Sequence, residues 1–209
     1  GMMLAFGMVC GILEASRSGK GQEIDCSMVE GASALMAMFY GLHGIGQFSD
    51  ERGTHMLDSG AHFYDTYATA DGKYISIGSI EPQFYALLKQ QLQLDETVFG
   101  EQLNPQRWPQ QKEKLAAIFR TRTRDEWCTL MEGTDVCFAP VLGLDEAPRH
   151  PHNQARNSFV PVGDMLQPAP TPRFSRTSSG TPRPISAPGT DTRAVLGDCG
   201  FSAAEIEKL

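Results

Sequence analysis

No apolar run in this 209-residue sequence approaches the ~20 residues that a bilayer-spanning helix needs; the longest, Met2 to Leu13, is interrupted by Gly7 and Gly11. That stretch is not read as a membrane anchor. With no Lys or Arg ahead of it, it also lacks the charged n-region of a secretory signal, so a cytoplasmic location is expected. Positive charge is scarce as well: 18 Lys+Arg face 25 Asp+Glu, for a net charge of -7 and a pI near 5.2. No broad basic face is available to neutralise a phosphate backbone, and nucleic acid is not an expected partner. The cysteines, Cys10, Cys26, Cys128, Cys137 and Cys199, are odd in number and never paired at metal-ligand spacing. Free thiols in a reducing compartment, with no metal, are the simplest expectation. A Gly-x-Ser-x-Gly elbow, a Walker-type loop and a dinucleotide fingerprint are all absent, which removes self-contained hydrolases and nucleotide enzymes of those kinds.

What is present suits a packed domain: 41% hydrophobic and 21% charged residues. The chain opens on an apolar helical pattern with no N-cap ahead of it. Gln22 to Ser27 reads as a short strand with Ile24 facing a core, and Met28 to His43 as one long helix that needs burial on several sides. After a glycine-loosened connector, His62 to Thr69 and Lys73 to Ser79 form two strands joined at Ala70-Asp71-Gly72, a hairpin signal. A helix starts at Glu81-Pro82 with proline in its first turn. Trp108 to Thr121 and Thr123 to Met131 predict two further helices, and Val136 to Leu142 a buried strand. Most of the 13 prolines lie between Pro148 and Pro188, which predicts a linker or an extended wrapping arm. Ser202 to Glu205 is a capping box before a closing helix.

The sharpest chemical feature is Glu81, a carboxylate at a strand-to-helix junction. Free backbone N–H groups and the helix dipole favour its ionised form, suiting a base or a fixed charge. Position alone favours the blander reading, a helix-capping Glu with no other duty. Met56-Leu57-Asp58 through His62 and Tyr64 gathers a carboxylate, an imidazole and a phenol, but His55, Asp58 and His62 do not match a metal-ligand spacing. A loop Asp making an Asx-type turn is the preferred reading there. His150-Pro151-His152 reads as a solvated turn. Met28, Met36, Met38 and Met56 read as core filler, with a flexible wall for an acyl chain as the minority reading.

Four blocks carry a family resemblance: Ser18-Gly19-Lys20-Gly21-Gln22-Glu23-Ile24-Asp25 with Met28-Val29-Glu30-Gly31; Arg52-Gly53 with Met56-Leu57-Asp58; Phe63-Tyr64-Asp65-Thr66-Tyr67 through Asp71-Gly72-Lys73-Tyr74; and Ile80-Glu81-Pro82-Gln83-Phe84-Tyr85. A weaker fifth is Cys137 to Leu142 with Asp145-Glu146-Ala147. In these the chain resembles the α-methylacyl-CoA racemases of the family III CoA-transferase superfamily. The resemblance implies epimerisation of 2-methylacyl-CoA thioesters by removal and return of the α-proton through an enolate. CoA then belongs to the substrate and no separate cofactor is expected. It implies a His and an Asp as opposed acid and base, with a Glu matching Glu81 paired to the His. It also implies a substrate surface that includes Met56, Leu57, Asp58, Tyr64 and Ile80. Ser59 and His62 depart from the family's usual Gly and Pro, and Ser79 from a common Ala.

The family's His and Asp belong to a segment ahead of residue 1, so the expectation is a chain that is incomplete and inactive by itself. The implied fold class is α+β: the small lobe of a family III CoA-transferase-like fold with long connecting helices and a C-terminal return arm, the Rossmann-like large lobe being mostly missing. The domain reading is a large-lobe remnant and connecting helix over 1–54, a small α+β domain over 55–146, and a proline-rich return arm with a C-terminal helix over 147–209. Family members form interlocked homodimers, and a homodimer is expected. Two alternatives stay open: acyl-CoA:carboxylate CoA-transfer in the same superfamily, and a non-catalytic dimerisation module.

Overall fold

The computed structural model describes residues 1–208. It is a mixed helix and sheet structure that divides into two compact units, Gly1–Val141 and a second beginning at Leu142. The first unit opens with α1 (Met2–Ser18), which closes on Gly19 at φ 72°, a left-handed cap that glycine adopts without a steric cost. The segment after it is not the expected strand. It finds no strand to pair with, and Ile24 instead lies along α1, where a Cβ built on Gly11 would stand 2.7 Å from its Cδ1. The two glycines that interrupt the apolar run therefore provide the groove for this side chain.

The long helix expected from Met28 to His43 is two helices, α2 (Met28–Leu35) and α3 (Ala37–Gly44), broken at Met36. Ser27 caps α2, accepting from the Glu30 amide and donating to its carboxylate. The expected burial is also missing: α1, α2 and α3 contain no buried residue, and Met2 and Met28 are 89% and 90% exposed.

The core of this unit lies beyond residue 60. Strands β1 (Tyr64–Ala68) and β2 (Tyr74–Gly78) pair antiparallel around the Asp71-Gly72 turn, with Gly72 at φ 73°. Helices α4 (Pro82–Leu92), α5 (Glu96–Phe99), α6 (Trp108–Phe119) and α7 (Arg124–Met131) follow, before β3 (Phe138–Val141) joins β2 in the sheet order β1-β2-β3. Strand residues alternate between faces. Tyr67, Ile75 and Ile77 point into a core with Leu88, Leu115, Phe119 and Trp127, whereas Tyr64, Thr66 and Tyr74 are exposed. Burying each large side chain here contributes about 1.5–3 kcal/mol. The indole N–H groups are satisfied as they are buried: Trp127 donates to the Phe119 carbonyl and Trp108 to that of Gln102, both at 2.8 Å. Thr123 and Glu126 close a capping box on α7, and Arg124 donates from α7 to the Val141 carbonyl of β3 at 3.0 Å.

The second unit starts with a 3-10 turn at Ala147–Arg149 and α8 (Pro151–Ala155), so His150-Pro151-His152 leads into a short helix. Strands β4 (Phe159–Val162) and β5 (Met165–Pro168) form a separate antiparallel hairpin. From 169 to 187 the prolines leave neither helix nor strand. The unit continues through α9 (Thr192–Asp198) and α10 (Ala203–Ile206), the latter opened by the expected capping box of Ser202 and Glu205. Among the described residues no helix is long and apolar enough to cross a membrane.

Candidate functional site

The uncovered face of the β1-β2-β3 sheet holds a cleft of about 390 Å³, lined by Leu57, Ser59, Tyr64, Asp65, Thr66, Ser76, Ile77, Gly78 and Cys137. Three chain segments meet there. The 53–60 loop supplies one rim, β1 and β2 the floor, and the residue before β3 the far wall.

The loop owes its shape to Asp58. One carboxylate oxygen accepts from the amides of Gly53 (2.9 Å) and Thr54 (3.4 Å), the other from those of His55 (2.9 Å) and Gly60 (3.2 Å). Partial burial raises the Asp58 pKa, but these backbone donors outweigh it and hold the carboxyl below its ordinary value. The Asx-type reading of the loop is thereby met in extended form. His55 serves the same loop, its Nδ1 accepting from the Leu57 amide. Ser59 then takes φ 73°, the left-handed region that favours glycine. Lys112 of α6 clasps this rim, donating to the Ser59 carbonyl and pairing with the Asp65 carboxylate.

Glu81 sits at the strand-to-helix junction, three residues beyond the cleft-lining Gly78. It is the N-cap residue of α4, extended at φ -70° and ψ 142°, and its carboxylate makes no capping hydrogen bond. The blander reading, a Glu spent on its own helix, is therefore not what the structure has: the side chain is exposed and the first turn relies on Pro82 instead. The junction itself is fixed. Gln102 donates to the carbonyls of Ser79 (3.0 Å) and Ile80 (2.8 Å), and the fully buried Ser79 hydroxyl donates to Val136 O at 2.6 Å. Cys137, adopting φ 58°, lies near enough to feel Glu81: desolvation pushes its thiol pKa up and the Glu81 charge adds to the effect.

Behind the loop, His62 is completely buried. Its Nε2 lies 2.8 Å from Tyr85 Oη, which gives its own proton to the Phe99 carbonyl at 2.9 Å. Nε2 must then be the donor, leaving Nδ1 as a buried acceptor without a partner. Burial lowers the His62 pKa from 6.5 to about 4, so the ring is neutral at pH 7.

Of the residues singled out from the sequence, Leu57 and Tyr64 line the cleft, whereas Glu81 is not among its lining residues and reaches it only through its charge on the Cys137 thiol. Met56 and Ile80 are partly buried and pack on the core, while Asp58 holds the loop from within. Sequence reasoning missed Ser59, Asp65, Thr66, Ser76, Gly78 and Cys137 as cleft residues. The glycine closing a β-branched and aromatic strand was one available signal, since glycine weakens a strand and often marks a close approach. Among the described residues no group of three or more His, Cys, Asp or Glu is placed to hold a metal ion.

Residues 1–192 match the profile of CoA-transferase family III. Over its whole length the chain is 43% identical to alpha-methylacyl-CoA racemase of Mus musculus and 39% identical to that of Homo sapiens, covering 55% of each. The chain thus spans little more than half the length of these curated relatives. A solved structure of Rv3272 from Mycobacterium tuberculosis, 16% identical, superposes with a TM-score of 0.68 over 92% of this chain and 51% of that one, which is a likeness of fold.

Proposed function

The chain belongs to CoA-transferase family III, and on that premise we propose that it is the Glu81-bearing part of an α-methylacyl-CoA racemase. The observation that carries this reading is the state of Glu81: an exposed carboxylate on a junction fixed by Gln102, not used by its own helix, three residues beyond the cleft-lining Gly78. Identity of 43% and 39% to proteins named for that reaction supports it.

In the proposed reaction a base breaks the α-C–H bond of a 2-methylacyl-CoA. The electron pair delocalises onto the thioester oxygen as an enolate, and a proton returns to the opposite face. Glu81 orients and charges the acid–base His that the family supplies. Leu57 and Tyr64 form the apolar surface for the acyl group, Met56 and Ile80 support it from the core side, and Asp58 acts through the loop that presents Leu57. A positioned acid or base contributes about 10²–10⁴-fold and whole enzymes on the order of 10⁶-fold or more, so Glu81 without that pair does not sustain the reaction. These 209 residues alone are then inactive.

The domain reading is carried forward with the site: a large-lobe remnant and connecting helix over 1–54, the small α+β domain over 55–146 and a proline-rich return arm with a C-terminal helix over 147–209, working in the cytoplasm as a homodimer. The exposed apolar residues of α1, α2 and α3 support a dimer, in which a partner covers them; sedimentation of the chain as a monomer at micromolar concentration would count against it.

Deuterium wash-in at the α-carbon of a 2-methylacyl-CoA tests the reaction. In a protein carrying these residues behind the family's His and Asp, exchange is expected, with Glu81→Gln slower by about 10²-fold. The isolated chain is expected to show none above the solvent rate, and exchange there at an enzymatic rate would overturn its incompleteness. Movement of CoA to a free carboxylate without α-exchange would replace the racemase reading with the transferase one.

A further inference from the structure

We propose that Gly78 is a positioning residue that sets the size of the acyl group the cleft admits, by leaving room for the Tyr64 ring to lie back over β2; this rests on the reading of the cleft as the acyl site. Tyr64 and Gly78 are directly opposed in the β1–β2 register. A Cβ built on Gly78 would stand 3.5 Å from Tyr64 Cε2, 3.6 Å from its Cδ2, and 3.8 Å from the Cys137 carbonyl oxygen. The ring therefore rests over the position at contact distance, with the β3 side already closed.

The backbone does not explain the glycine. Gly78 is not among the positive-φ residues, and its amide makes an ordinary 2.9 Å bond to Cys137 O. Glycine inside a strand costs roughly 0.5–1 kcal/mol relative to alanine, so the space above it is the feature that residue 78 supplies. A methyl would only touch the ring. A branched side chain carries atoms about 1.5 Å further, into the ring, and with the Cys137 carbonyl on the other side the ring's way out is into the cleft. Gly78 and Tyr64 both line that cleft, so a displaced ring narrows it along the path of a long acyl chain.

The test uses the full 209-residue chain and two probes, the N-acetylcysteamine thioesters of 2-methylpropanoate and 2-methyldecanoate, titrated by NMR with the amides of Thr66, Ser76 and Gly78 as reporters. Gly78→Ala is expected to bind both probes within about twofold of wild type. Gly78→Val is expected to lose about tenfold or more for the longer thioester, with little change for the shorter, the scale on which apolar pockets discriminate. With Tyr64→Ala already present, adding Gly78→Val is expected to cost the longer probe less than twofold relative to Tyr64→Ala alone, a loss of coupling that general strand damage would not produce. If Gly78→Val fails to fold, Gly78→Cys, with one atom beyond Cβ, carries the same expectations. Equal binding of both probes by the bulky variant, or an undiminished loss with the ring already removed, overturns the role of Gly78 while leaving the cleft as the acyl site. Wild-type amides that respond to neither probe overturn the acyl-site reading, and this inference with it.

Discussion

Protonating His62 is expected to undermine the core of the first unit. The ring is fully buried, bonded through Nε2 to Tyr85, with Nδ1 facing no acceptor that could receive a second proton. Its pKa falls from 6.5 in the unfolded chain to about 4 in the folded one. A base with a lowered folded pKa binds fewer protons folded than unfolded, so stability rises with pH between these values. The contribution is complete above pH 6.5 and is lost progressively as the pH falls toward 4. At about 1.4 kcal/mol per pH unit, the loss is on the order of 3 kcal/mol, a large share of a domain's usual 5–15 kcal/mol. Trp108 and Trp127 both belong to this core, so denaturant unfolding followed by their fluorescence reads the unit concerned. His62→Phe keeps a ring in the site, leaves the Tyr85 bond to Phe99 in place and removes the titration. The wild-type stability should drop relative to the variant by about 3 kcal/mol from pH 7 to pH 4. Parallel pH curves for the two proteins, or a His62 ring signal titrating near 6.5, would refute the reasoning.

Asp58→Ala should cost about 2 kcal/mol, since four backbone amides lose a charged acceptor. The Asp58 contribution is present above its ordinary pKa of 3.8 and is lost as pH falls through its lowered folded value; a denaturation series from pH 5 downward checks both. Ser59→Gly, at φ 73°, should be neutral to about 1 kcal/mol stabilising, the relief of the left-handed conformation outweighing glycine's extra unfolded-state entropy; clear destabilisation in a thermal melt would argue against strain there. Ser79→Ala should cost about 1 kcal/mol because Val136 O loses its 2.6 Å donor. Glu81→Gln should leave stability within about 0.5 kcal/mol, separating its chemical role from any capping role; a larger drop in the urea midpoint would restore the capping reading.

Elements written in local chemistry were legible before any coordinates. The Asp71-Gly72 hairpin, the Pro82 helix start, the helix from Thr123 and the capping box at Ser202 need only residues a few positions apart, which is the range over which turn and cap preferences act. The errors occurred where a segment's fate depended on its neighbours. Ile24 sits in a short polar segment, Gln22 to Ser27, that reads as a strand with one inward side chain, but a strand needs a partner; among the described residues none pairs with it, and the side chain settled on the glycines of α1 instead. Met28 to His43 has the composition of a buried helix, yet its two halves bend at Met36 and stay uncovered.

The sequence by itself determined the family blocks, the helix and hairpin boundaries around the sheet, and the placing of Glu81 at a strand-to-helix junction. Only the tertiary structure decided what those residues can do. That Leu57, Tyr64, Gly78 and Cys137 share one cleft is a consequence of long-range pairing. The cleft joins residues 57 and 137 because β3 closes on β2 across the four intervening helices. The free energy that makes this closure stable comes from burying Phe119, Trp127 and Leu115 between the sheet and its helices, and no local pattern records which uncovered face such burial leaves open.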